Sequence, residues 1–207
     1  MQKNITLSVV LPVKDEGKRL AITLSDIHSY LKDKNIKHEI IAVISSGSDH
    51  SEELAKRLTL AIKELKVIIL KEDRGKGYAT KKGLKAAKHP WILIMNSDNS
   101  VNIVEIEKMF PYASDQNLVI GTKNFSQIKA AKEAQTQFGK IYKKFIKRWP
   151  KEEDQSGFKL FSKKLAGKIL KESKADDRTF FAEILAIAKR SKIDAIEIPI
   201  TWQETEN

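Results

Sequence analysis

This chain predicts a single α/β domain built on a mostly parallel sheet flanked by helices. Two observations carry that expectation. Apolar, β-branched runs alternate with segments of helical periodicity. The runs are apolar at nearly every position rather than at every second one, as in strands covered on both faces. A chain of 207 residues is long enough for one core of ordinary size.

The first run spans Ile5 to Val13. Leu20, Leu24, Ile27 and Leu31 then recur at helical spacing and predict a helix from Lys18 to Leu31. His38 to Ile44 is a second strand, closed by Ser45-Ser46-Gly47-Ser48. Ser48 or Asp49 is placed to cap the helix that follows, with Glu52 at capping-box distance from Asp49. A third strand, Leu65 to Leu70, leads into a helix from Gly75 to Lys88 opened by a glycine-containing turn. Trp91 to Met95 is the fourth strand, and it ends at Asn96-Ser97-Asp98-Asn99. The second half alternates less cleanly. Leu118 to Thr122 reads as a strand, Gln127 to Trp149 as a long helix and Lys159 to Phe161 as a short strand. Helices over Lys163 to Lys171 and Thr179 to Lys189, then a strand over Ala195 to Thr201, complete the domain.

Composition narrows the classes. Hydrophobic content of 41% and charged content of 31% are those of a soluble globular protein. No apolar run approaches the roughly 20 residues that span a bilayer. Met1-Gln2-Lys3-Asn4 leads directly into a strand, so no secretory leader is expected and the cytoplasm is the expected location. With no cysteine, disulfides and thiolate metal sites are excluded. The net charge of +11 favours anionic partners. No recognised nucleic-acid motif accompanies it, so nucleic acid is not the expected one. Lys140 to Trp149 interleaves cations with large apolar residues, and Ile141, Phe145 and Trp149 fall on one helical stripe. That segment reads either as an interfacial helix or as a core-packed helix with a basic outer face. His28, His38, His50 and His89 share no metal-ligand spacing, and His28 reads as a packing or surface residue.

In an open parallel sheet, ligands bind beyond the carboxyl ends of the strands. That rule selects Lys14 to Arg19, Ser45 to Asp49, Asp73 to Gly77 and Asn96 to Ser100. Glycines at Gly75 and Gly77 allow close backbone approach, and Lys76 between them can meet a phosphate. Asp98, at the end of an apolar strand, is a candidate metal ligand or the cap of the next helix.

These segments also resemble a known family in order and spacing. Pro12-Val13-Lys14-Asp15-Glu16, Ser45-Ser46-Gly47-Ser48-Asp49, Gly75-Lys76-Gly77, Asn96-Ser97-Asp98, Gly121-Thr122-Lys123 and Gln155-Ser156-Gly157-Phe158-Lys159-Leu160-Phe161 are similar to motifs of the family 2 glycosyltransferases. Phe180 to Glu183 and Glu197-Ile198-Pro199-Ile200-Thr201-Trp202 extend the likeness over about residues 5–205. The subgroup that charges polyprenyl or dolichyl phosphate with a sugar is the nearest. The resemblance implies a GT-A (Rossmann-like) fold, a donor half over residues 1–100 and an acceptor half over 101–207. It implies nucleotide contacts at Pro12, Val13, Glu16, Ser46 and Ser97, and phosphate contacts at Lys76, Lys81 and Lys123. Asn96 and Asp98 take the place of the metal-binding Asp-x-Asp, for Mg²⁺ or Mn²⁺. Asp98 and Glu153 are the implied catalytic acids, with Asp154 as a near alternative to Glu153.

The implied reaction moves a hexosyl group, with inversion, from a nucleotide sugar to a lipid phosphate at a cytoplasmic membrane face. The basic helix is the implied membrane contact. An acceptor phosphate is already ionised near neutral pH, so it needs positioning more than a strong base. Several family acids are replaced: Ser45 and Ser46 stand for two, Asn96 for the first metal ligand and Phe181 for another. A second reading is therefore a catalytically impaired GT-A protein that binds or scaffolds.

Overall fold

Strand β1, Leu7–Val13, is buried along its whole length and lies in the interior of the sheet. The computed structural model describes residues 5–45, 47, 49–122 and 157–203. Among the described residues, β1 joins a seven-stranded sheet with β2 (His38–Ile44), β3 (Leu65–Ile69), β4 (Trp91–Ile94), β5 (Asn117–Thr122), β6 (Lys159–Ser162) and β7 (Asp194–Pro199). The order is β3-β2-β1-β4-β6-β5-β7. β1 and β2 are parallel over their full length, from Leu7 opposite His38 to Val13 opposite Ile44. β6 runs antiparallel between β4 and β5, while the remaining pairs are parallel.

The sheet is covered on both faces. Successive residues of a strand point to opposite sides, so β1 sends Leu7, Val9, Leu11 and Val13 into one apolar cluster and Val10 into the other. The first cluster is completed by α1 (Gly17–Asp33), through Leu20, Leu24, Ile27 and Leu31, and by Ala55 of α2 (Ser51–Leu58). Two 3₁₀ turns, Ile103–Lys108 and Phe110–Tyr112, close that face through Ile103 and Ile106. The second cluster lies under α3 (Lys76–Ala86), α4 (Lys163–Glu172) and α5 (Phe180–Arg190). Burial of two such faces supplies most of the driving force for folding.

The strands fall within two residues of their expected limits because each is an apolar run bounded by polar turns. The antiparallel direction of β6 and the 3₁₀ turns were not expected, since neither leaves a periodic signature. The expected capping box at α2 is not formed. His50 takes the N-cap position, but the Asp49 carboxylate still serves that helix start, accepting the Ser51 N–H at 3.1 Å and the Ser51 hydroxyl at 2.6 Å, and it accepts the Gly17 N–H at 2.6 Å as well. Asp49 thus joins the start of α1 to the start of α2. Glu52 pairs with Lys56, one turn along, at 2.5 Å. The helix expected over 127–149, including the basic segment 140–149, lies outside the described residues. Among the described residues, no helix is long and apolar enough to cross a membrane.

Candidate active site

The chain winds outward from β1 to β2 and β3, then returns to place β4 on the other side of β1. Such a reversal leaves a crevice at the carboxyl ends of the two central strands. The turns after β1 and β4 flank it, together with the start of α3.

Four of the expected residues converge there. Lys76, in the first turn of α3, donates from Nζ to Asn96 Oδ1 at 2.8 Å. Asp98 follows two residues later on the same turn and accepts the Ser100 N–H at 2.9 Å. Glu16, after β1, is clamped by Arg19 at 3.0 Å. Charges of Glu16 and Asp98 are close enough to act on each other and on Lys76. Burial pushes the Glu16 carboxyl above its usual range; Arg19 opposes that shift and Asp98 adds to it. Burial pulls the Lys76 ammonium below its usual range, against the attraction of Asp98. The arrangement is a half-buried set of two acids around one lysine, placed to receive a charged ligand.

A divalent cation fits this set through Asp98. A carboxylate that accepts one N–H keeps lone pairs for a hard cation. The Asn96 oxygen brings no charge and already holds an ammonium, so Lys76 supplies positive charge where a second carboxylate would have recruited the ion.

The other expected residues are placed as follows. Pro12 and Val13 are buried within β1. Ser97 is 4% exposed; its hydroxyl donates to the Pro12 carbonyl at 3.2 Å, and its own carbonyl accepts from Thr23 at 3.0 Å. These side chains brace the crevice from behind. Lys81 is paired with Asp176 at 2.5 Å, and Arg74 reaches the same carboxylate at 2.5 Å. Both cations hold the segment before α5 against the start of α3. The fit is close: Gly75 sits at φ +101°, and a Cβ there would come within 2.8 Å of the Asp176 carbonyl. Ser46, Lys123 and Glu153 lie outside the described residues.

Three residues that the sequence reading did not assign to the site lie at or near this edge of the sheet. Lys159, at the start of β6, is 2% exposed, and its Nζ lies 5.0 Å from the centre of the Phe181 ring. Lys76 stands 5.7 Å from the same ring. Burial, with the Lys76 charge adding to it, brings the Lys159 ammonium down to about 7. The available signal was a lysine inside the apolar run Phe158 to Phe161. Gly157, just before it, backs Asn96: a Cβ there would meet Asn96 Oδ1 at 2.0 Å. Glu52 lines a small cavity of about 90 Å³ with Ile44, Ser45, Gly47, Asp49 and Leu70, at the carboxyl ends of β2 and β3. Glu183 takes another part, accepting from the Ser173 hydroxyl and from the N–H groups of Lys174 and Ala175. It orders the turn that carries Asp176.

A mostly parallel sheet in this order, with its acids and lysine at the reversal, defines the GT-A class of glycosyltransferase fold. Residues 8–170 match the model of glycosyl transferase family 2, and the chain belongs to that family. It is similar to human dolichyl-phosphate β-glucosyltransferase, 26% identical over 220 residues, covering 97% of this chain and 68% of that protein. The Saccharomyces cerevisiae dolichyl-phosphate β-glucosyltransferase is 26% identical over 234 residues, covering 99% of this chain and 69% of its own. Among solved structures, glucosyl-3-phosphoglycerate synthase of Mycobacterium tuberculosis, in complex with Mn²⁺, UDP-glucose and phosphoglyceric acid, superposes with a TM-score of 0.68 at 16% identity. That match covers 98% of this chain and 72% of the other. A Pyrobaculum calidifontis mannosyltransferase in complex with GDP-mannose and Mn²⁺ matches with a TM-score of 0.64 at 17% identity, covering 94% of this chain and 55% of the other.

Proposed function

We propose that this protein transfers a hexosyl group, glucose in the first instance, from a nucleotide diphosphate sugar to dolichyl or polyprenyl phosphate. The convergence of Glu16, Lys76, Asn96 and Asp98 at the sheet reversal carries the reading. The dolichyl-phosphate β-glucosyltransferases to which the chain is similar supply the sugar and the acceptor. In the reaction, an acceptor phosphate oxygen forms a bond to the anomeric carbon while the bond to the donor diphosphate breaks. The electron pair leaves on the nucleotide diphosphate, and the anomeric centre inverts.

Negative charge develops on the diphosphate as that bond breaks. Lys76 is positioned to offset it from the start of α3, beside Asn96, and a fixed cation needs no rearrangement at that moment. Mg²⁺ or Mn²⁺ at Asp98 would add Lewis-acid stabilisation of the same leaving group. Glu16 would meet the nucleoside, with the cavity between β2 and β3 beside it. Ser46, Lys123 and Glu153 complete the proposed donor and acceptor contacts, and residues 140–149 are the proposed contact with a cytoplasmic membrane face. Residues 1–100 would form the donor half and 101–207 the acceptor half.

The test is incubation of the purified chain with UDP-glucose or GDP-mannose, dolichyl phosphate and Mn²⁺, with the glycolipid read by mass spectrometry. A glycosylated lipid phosphate that depends on Lys76 supports the reading. A second reading, binding without turnover, is favoured by one observation: the Asn96 oxygen is already engaged by Lys76. It requires tight nucleotide binding with no product from either donor.

A further inference from the structure

The opposite edge of the sheet carries a second cluster, separate from the donor site. His38 opens β2 at its amino end. His28 lies on α1, and Glu64 stands just ahead of β3. The three share no sequence spacing because each comes from a different element, and the fold alone brings them together.

The chemistry of the two rings is specific. His38 Nδ1 lies 2.7 Å from the Ile36 carbonyl oxygen. A carbonyl only accepts, so Nδ1 carries the proton and Nε2 presents its lone pair. That Nε2 is buried and makes no hydrogen bond among the described residues. His28 Nδ1 is buried without a hydrogen bond in the same way, 3.4 Å from Glu64 Oε2. One ligand atom from each of His28, His38 and Glu64 lies within 4.8 Å of the other two. In a tetrahedral zinc site with ligand bonds of about 2.0–2.1 Å, neighbouring ligand atoms are ~3.4 Å apart. The His28–Glu64 pair already has that separation. The Glu64 side chain is 40% exposed, so it has room to adjust toward His38. An ion pair between His28 and Glu64 would leave the buried lone pair of His38 unexplained. A cation shared by all three uses it, and the Ile36 carbonyl then has the orienting role common behind metal-bound histidines.

We propose that His28, His38 and Glu64 form a zinc-class divalent cation site, with water as the fourth ligand. It pins α1 to the start of β2 and to the turn before β3. It is separate from any ion at Asp98.

The test uses the untagged full-length chain, stripped with EDTA and titrated with Zn²⁺ by calorimetry and with Co²⁺ by visible absorption. The expected result is one Zn²⁺ site of micromolar affinity or tighter. Bound Co²⁺ should give the intense band of tetrahedral coordination, lost on adding Zn²⁺. At a hundredfold excess over Kd, the midpoint of thermal unfolding should rise by about 5–10 °C. Glu64→Gln, an exposed change of equal shape, should weaken Zn²⁺ binding at least ~10-fold. His28→Gln should remove the tetrahedral band, and Asp98→Asn should keep it. Absence of Zn²⁺ binding in the unmodified chain would overturn the proposal. So would a titration unchanged by Glu64→Gln and His28→Gln, or a band that disappears with Asp98→Asn.

Discussion

Lys76 and Asn96 form the pair on which the proposed donor site turns. An aspartate at position 96 would recruit a divalent cation; the asparagine instead accepts from the Lys76 ammonium, which in the proposed site would stand beside the diphosphate. Lys76→Met should therefore weaken nucleotide-diphosphate binding by about 10–100-fold, the range for losing a hydrogen bond to a charged group. Calorimetry with UDP measures this directly. Asn96→Asp should work in the other direction and tighten Mn²⁺ about tenfold, since it adds a charged oxygen ligand. Lys159 gives a pH signature. Its ordinary value of 10.5 holds in the unfolded chain, while in the fold it lies at about 7. Between those values the unfolded chain binds the extra proton, so this residue's contribution to stability rises with pH across that window and is least favourable below it. The wild-type protein should gain stability relative to Lys159→Met from pH 7 to pH 9 in urea unfolding. A constant difference would place the ammonium outside the apolar layer.

At the scale of elements, the segment from Ser173 to Thr179 connects α4 to α5 and is held against α3. Glu183 accepts three hydrogen bonds from its start, and Asp176 takes both Lys81 and Arg74. Glu183→Ala removes a charged acceptor from two backbone N–H groups and a hydroxyl, and should cost about 2–3 kcal/mol in denaturant unfolding. Asp176→Asn touches more exposed pairs and should cost about 1 kcal/mol or less. The elements themselves were legible in the sequence, because β1, β2 and β4 are apolar runs and Leu20, Leu24, Ile27 and Leu31 keep a helical period. The bond of Asp49 to Ser51 N–H was legible as a local cap, but its bond to Gly17 was not, since Gly17 is far away in sequence and local capping rules see only neighbours. For the same reason Lys81 reads as a phosphate ligand in sequence, while its partner Asp176 appears only in the fold. Lys159 could be seen as a charge in an apolar run, but its nearness to Lys76 required the antiparallel pairing of β6 with β4.

For the whole molecule, the sheet separates two kinds of site. The carboxyl edge carries acids and lysines around a crevice, and the amino edge carries the His28, His38 and Glu64 cluster. Motif order revealed the first because a strand-to-helix turn is continuous in sequence. It concealed the second because three elements contribute one residue each. The net charge of +11 should draw the protein to anionic vesicles, with association that weakens as salt rises. Cosedimentation at low and high salt measures that, and salt-independent association would point to apolar insertion instead. The proposed chemistry is read by single-turnover transfer from UDP-glucose to dolichyl phosphate, comparing the unmodified chain with Lys76→Met. The unmodified chain should yield glucosylated dolichyl phosphate, and the variant at least ~10-fold less. Equal product from both, or UDP binding by the unmodified chain without any glycolipid, would contradict it.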